Sequence, residues 1–235
     1  MSRTKKSCRF VVFVAFGLII MAGTAHAQDP CFAPNNGMGT VTLPPPGCQY
    51  LSPNDVHKII AGLPPGTEII LAPIHTNFIC RQSGAPTGTC GTPGGTLGGQ
   101  VEIFGSSANF QLTGTGALAG WSRLVSIPLN TETHTAPRVN GAPVQTFKTD
   151  MARIQGSISG DPDFQFLEIV GGTANGFPSP GQTTLTLQPN GTYLVDSVFN
   201  VGFRIRFVGA SGGRLSGLSG TTVDSVTMKA YQKCP

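Results

Sequence analysis

Tryptophan occurs once in the 235 residues and tyrosine three times, so few residues could form the exposed aromatic platforms of a sugar-binding face. Charged residues make up only 11% of the chain, and no run of like charge marks a polyelectrolyte-binding tail. Histidine is also scarce. Of the four, His26 lies near the N-terminus, and His57, His75 and His134 show no zinc-ligand spacing. No cofactor-binding motif is present, so no cofactor is expected. Beyond residue 27, no apolar run approaches the roughly 20 residues of a membrane-spanning helix.

Residues 1–27 read as an export signal. Arg3, Lys5, Lys6 and Arg9 precede an apolar run over 10–23, and Ala25-His26-Ala27 fits the small-x-small cleavage rule. No cysteine follows the cleavage site to take a lipid. Four of the fifteen Lys/Arg leave with the signal, and the remaining eleven balance eleven Asp/Glu. A nucleic-acid partner thereby loses its main electrostatic argument. The expected protein is secreted or periplasmic, with an extracellular or periplasmic partner and no membrane span after cleavage. It ends at Cys234-Pro235 without a sorting tail, which favours free secretion or periplasmic residence.

The clearest structural signal lies in residues 183–208. Phe199, Val201, Phe203, Ile205 and Phe207 alternate with Asn200, Gly202, Arg204 and Arg206, and a period of two puts the apolar set on one face of a strand. Leu185 and Leu187 alternate upstream, and Pro189-Asn190-Gly191 between them predicts a hairpin with a tight primed turn. Further strands are expected near 67–74, 100–104, 109–113, 122–129, 144–158, 164–170 and 222–231, separated by glycine-rich turns. One short helix is expected over 52–62. Ser52 would cap it, Pro53 would open it, Gly62 would close it, and Val56, Ile59, Ile60 and Leu63 would form its stripe. His57 on that helix reads as a surface histidine. The predicted fold is all-β and mostly antiparallel, a sandwich with a β-barrel as the alternative. Residues 28–62 form a disulfide-stapled extension and residues 63–235 the β domain.

Cysteine arithmetic supports the staples. Cys8 leaves with the signal, so Cys31, Cys48, Cys80, Cys90 and Cys234 remain, an odd number. Cys80 and Cys90 bracket a short Gly/Pro loop, and Cys31 and Cys48 flank a proline-rich segment. The expected pairs are Cys31–Cys48 and Cys80–Cys90, with Cys234 free or intermolecular. The competing arrangement joins Cys234 to Cys31 or Cys48.

The segments GALAGWSR (116–123), ETHTAPR (132–138), TDMARIQG (149–156), GDPDF (160–164) and GFPSPG (176–181) occur in this order. Together they resemble a group of uncharacterised exported β-rich proteins of environmental bacteria, some with C-terminal sorting tails. The resemblance spans roughly 64–230 and implies export and a shared β fold, with no assigned activity. A Gly-x-x-x-Gly pattern at 116, 156 and 213 reads as one bend used three times.

Few residues carry chemistry. Gly209-Ala210-Ser211-Gly212-Gly213 matches the G-x-S-x-G elbow, yet neither a helical pattern nor a histidine follows Ser211, so a plain loop is expected. Asp161 and Asp163, with Glu168 beyond, could hold calcium, although Gly-Asp-Pro-Asp is first of all a turn. Glu132, His134 and Asp150, with His75, are the residues that could meet in a ligand pocket. Trp121, beside Gly120, is expected in the core or at a sheet edge. The leading function is a non-enzymatic structural or interaction protein. The alternatives are a carbohydrate- or small-ligand-binding module and a hydrolase with an unfamiliar site.

Overall fold

The alternation seen in the sequence becomes twelve strands in a computed structural model that describes residues 28–52, 57–81 and 90–233. They are β1 (Cys31–Pro34), β2 (Cys48–Leu51), β3 (His57–Ile59), β4 (Ile69–Cys80), β5 (Gly91–Pro93) and β6 (Gln100–Gly114). Then follow β7 (Ser122–Thr135), β8 (Val144–Ser159), β9 (Phe164–Gly171), β10 (Pro180–Leu187), β11 (Thr192–Gly209) and β12 (Ser219–Gln232). The expected signal peptide, residues 53–56 and Cys234 lie outside the described residues. All the ladders are antiparallel, and the all-β expectation holds.

The pairing closes on itself. β4 pairs with β6, and the ladder continues through β7, β8, β10, β11, β12 and β2 back to β4. This is the barrel form, the alternative of the two expected. Between β8 and β11, β10 fills one end and β9 the other, so these two short strands share one stave. β2 and β3 divide the edge of β4 in the same way. β4 and β5 divide the edge of β6, and β1 takes up the edge of β11 beyond the reach of β12. The two expected disulfides lie at these breaks. Cys80–Cys90 ties β4 to β5, and Cys31–Cys48 ties β1 to β2. Such cross-links hold staves whose ladder hydrogen bonds are interrupted.

Polarity follows the pleat. Tyr193, Val195, Phe199, Val201, Phe203, Ile205 and Phe207 of β11 are buried inside the barrel, while Asp196, Asn200 and Arg206 stand outside. No helix among the described residues is long and apolar enough to cross a membrane.

Three local expectations are corrected. The helix over 52–62 is absent from its described part, and His57–Ile59 is instead a strand on the edge of β4. His57 and Ile59 point in, and Lys58 points out. A three-residue apolar alternation fits either period, and the open edge of β4 decides for the strand. Gly62 does adopt φ +79°. It serves a turn that packs backbone to backbone against Ser219 and Gly220, where a Cβ would strike the Ser219 carbonyl. The hairpin turn is not of the primed type. Gly191 alone has positive φ (+81°), its N–H donates to Gln188 O, and Gln188 N–H donates to Thr192 O, the pattern of a three-residue loop with a glycine bulge. The three Gly-x-x-x-Gly segments also differ. The first is a 3-10 turn, the second leaves the end of β8, and the third lies in the loop after β11.

Candidate functional site

Eight staves leave an interior just wide enough for side chains or one small ligand. One end is sealed by carbon: Trp121, Leu118, Phe164 and Leu215 are buried there. The clamp beside them is ionic. Arg123 Nη1 donates to Asp161 Oδ1 (2.7 Å) and Asp163 Oδ2 (2.8 Å), and Trp121 Nε1 donates to Asp163 Oδ2 (3.1 Å). The N–H of Arg214 donates to Asp163 Oδ1 (2.9 Å). Burial pushes the Asp163 carboxyl up, but these donors outweigh it and hold it below the ordinary range. The turn expected at Asp161 and Asp163 is therefore present, with a guanidinium in the place a calcium ion would need. Trp121 is in the core, as expected.

The opposite end is polar. Thr131, Thr133 and Thr135 of β7, Thr149 of β8, Thr183 of β10 and Ser197 of β11 all point inward and are buried. Tyr50 Oη donates to Ser197 Oγ (3.1 Å), which meets Thr183 Oγ1 (2.8 Å). His75 Nε2 meets Ser106 Oγ (2.7 Å), which reaches Thr131 Oγ1 (2.9 Å). Glu102 is 1% exposed. Its Oε2 accepts from Thr133 Oγ1 (2.8 Å), and its Oε1 has no hydrogen-bond partner although Arg138 Nη2 lies 3.9 Å away. Burial raises the Glu102 carboxyl to about 7 against the pull of Thr133 and Arg138, lowers His75 to about 4, and raises Tyr50 to about 12.

The N-terminal segment lids this end. Arg138 Nη1 donates to Val41 O (3.1 Å), Tyr193 Oη to Gly39 O (2.8 Å) and Gln145 Nε2 to the same carbonyl (2.7 Å), while Val41 and Leu43 are buried beneath. Arg138 Nη2 also bonds Gln100 Oε1.

Among the chambers between lid and seal, two share part of their wall. The larger, about 50 Å³, is walled by apolar side chains of β4, β6, β8, β11 and β12, among them Phe110, Ile154 and Val226. The smaller, about 20 Å³, is the polar one, with Glu102, Thr133, Thr149 and Thr183 in its wall. Tyr50, His75, Met151 and Phe199 line both. Outside the barrel, an open groove of about 530 Å³ crosses β7, β8 and β9. Its charged groups are engaged, Arg81 with Asn130 (2.8 Å) and Glu168 with Arg204 (3.5 Å).

The expected ligand residues do not share a pocket. Glu132 and His134 do meet, on the outer face of β7. His134 Nδ1 accepts from Thr96 N (3.3 Å) and lies 2.9 Å from Thr96 Oγ1, and Nε2 donates to Glu132 Oε1 (2.8 Å). The glycine-rich turn at 94–99 covers the ring. Asp150 is the backbone partner of His134, but its carboxylate accepts from Thr173 Oγ1 (2.6 Å). His75 is on the inner side of the wall. Ser211 lies in an exposed loop, as expected. Among the described residues no group of three or more His, Cys, Asp or Glu could hold a metal.

Sequence reasoning missed His57, read as a surface residue. It is 5% exposed, lines the larger chamber, and its Nδ1 lies 3.3 Å from Asp224 Oδ2. Glu102 was missed as well. Its only signal is a lone carboxylate on the apolar row of an alternating strand. The chain matches no family model, no curated protein and no solved structure.

Proposed function

We propose that the protein is an exported, non-enzymatic barrel that binds a small uncharged molecule in its interior. One observation carries this reading: an apolar chamber adjoins buried polar atoms without partners, Glu102 Oε1 and Thr149 Oγ1 in the smaller space and His57 Nε2 in the larger. Mostly apolar walls with a few polar groups are the ordinary make-up of a small-molecule site. The two disulfides fit an oxidising compartment, which supports secretion or periplasmic residence. The alternative is a structural or interaction role, favoured by the modest size of the chamber. Met151 and Met228 line that chamber, and their methyl groups serve as reporters. Xenon and a panel of small neutral organics are to be titrated into the mature protein by methyl-detected NMR. Saturable shifts at both methyls are expected, and unshifted methyls across the panel would return the protein to the structural reading.

A further inference from the structure

The larger chamber carries one basic nitrogen with nothing to bind. Strand alternation turns His57 inward, and its ring packs edge-on against Phe203 at 6.0 Å and 74°. Nδ1 faces Asp224 Oδ2, whose side chain is 44% exposed at the barrel surface. A carboxylate acceptor keeps the imidazole proton on Nδ1 and fixes the tautomer. Nε2 is then a bare lone pair at the other edge of the ring, buried and without a hydrogen-bond partner.

Two other polar atoms on this wall are engaged, Tyr50 Oη by Ser197 and His75 Nε2 by Ser106. The occupant therefore meets the bare His57 Nε2 on a wall that is otherwise mainly apolar. Water is a poor match, because a buried water needs two to four polar partners. An ion is a worse one, since burying an unpaired charge costs far more than a single hydrogen bond returns. A chamber of about 50 Å³ takes roughly three to five heavy atoms, judged from the space one water needs.

We propose that His57 Nε2 is the anchoring acceptor of the chamber, and that its ligands are small uncharged hydrogen-bond donors with a compact apolar body, short-chain alcohols foremost. This rests on the small-ligand reading above and assigns it a chemical class. Asp224 acts through His57 as a positioning residue.

The test uses 1-propanol and xenon as probes of the mature wild-type protein and of His57→Leu. Xenon reports the space alone, whereas 1-propanol reports the space and the acceptor. In the wild type, 1-propanol is expected to shift the His57 Nε2 ¹⁵N resonance and xenon is not. His57→Leu is expected to bind 1-propanol about tenfold more weakly, the effect of one lost hydrogen bond, with xenon uptake retained. Should the variant fail to fold, the wild-type nitrogen spectrum decides alone. Entry of both probes with an unmoved His57 nitrogen would overturn the assignment while leaving the ligand-binding reading intact. Exclusion of both probes would overturn the reading itself, and the assignment with it.

Discussion

Glu102 and His75 line the same polar chamber and are perturbed in opposite senses, so the pH dependence of stability tests the interior directly. Burial raises Glu102 from 4.5 to about 7. Folding thus favours its protonated form, and the contribution is complete below 4.5 and lost as pH rises to 7. Burial lowers His75 from 6.5 to about 4. Folding here favours the neutral form, and that contribution is complete above 6.5 and lost as pH falls to 4. At about 1.4 kcal/mol per pH unit each, the two slopes cancel between pH 4.5 and 6.5. The wild type should therefore show little pH dependence from this pair in that window.

Removing either partner exposes the other. Glu102→Gln keeps the shape and an acceptor for Thr133, and should lose about 3 kcal/mol relative to wild type as pH falls from 6.5 to 4.5. His75→Gln should gain about as much over the same fall, and the double variant should be flat again. Asp163 does not interfere, because it is held below its ordinary 3.8 and titrates beneath the window. Urea unfolding at three pH values, read as the difference between variant and wild type, cancels the slopes of surface groups. A Glu102→Gln profile parallel to wild type would show that Glu102 is not held neutral inside the barrel, and the polar chamber would have to be redrawn.

Three further outcomes follow from the frame. Arg123→Leu leaves Asp161 and Asp163 facing each other in a half-buried turn and should cost about 3 kcal/mol. Unfolding midpoints measure this, and in wild type the same midpoint should not respond to millimolar calcium. Gly62→Ala puts a Cβ into the Ser219 carbonyl at a positive φ and should cost at least about 2 kcal/mol, whereas Gly191→Ala, with open space around it, should cost about 1 kcal/mol. Replacing Cys31 and Cys48 together by alanine opens a link of sequence separation 17 and should cost about 3 kcal/mol. An unchanged midpoint would show that β1 and β2 hold their places without it.

The strands were legible because alternation is a local property. β11 could be read residue by residue, since every inward position from Phe199 to Phe207 is a large hydrocarbon. The two strands expected at 100–104 and 109–113 proved to be one, β6. Gly105, Ser106 and Ser107 hid the join, because Ser106 faces inward as a polar residue that His75 and Thr131 satisfy. Closure was not legible. A strand with one apolar face reads the same whether it packs on a second sheet or curls into a ring, and the pairing of β4 with β6 that decides it is a non-local contact. The misread helix has a related cause. Its start, cap and stripe were locally consistent, but a short apolar alternation beside an open strand edge is captured by that edge.

The site was harder to read, and the run at 131–135 shows why. Thr131, Glu132, Thr133, His134 and Thr135 alternate, and attention to titratable groups selects Glu132 and His134. In a closed barrel that row faces out, and it is the threonine row that lines the interior. The residues with obvious chemistry are then spent on the wall: His134 on Thr96 and Glu132, Asp150 on Thr173, Asp161 and Asp163 on Arg123. Among those left with unused valence are three polar side chains standing where alternation calls for hydrocarbon, Glu102 on β6, Thr149 on β8 and His57 on β3. An apolar row tolerates such a residue only at a cost of roughly 1 to 3 kcal/mol for each unpartnered group. A fold that carries three such residues gives up stability at three points along one interior. Molecules that fill the chambers and supply the missing partners would recover it. The chambers are therefore the part of this barrel whose composition packing alone does not explain.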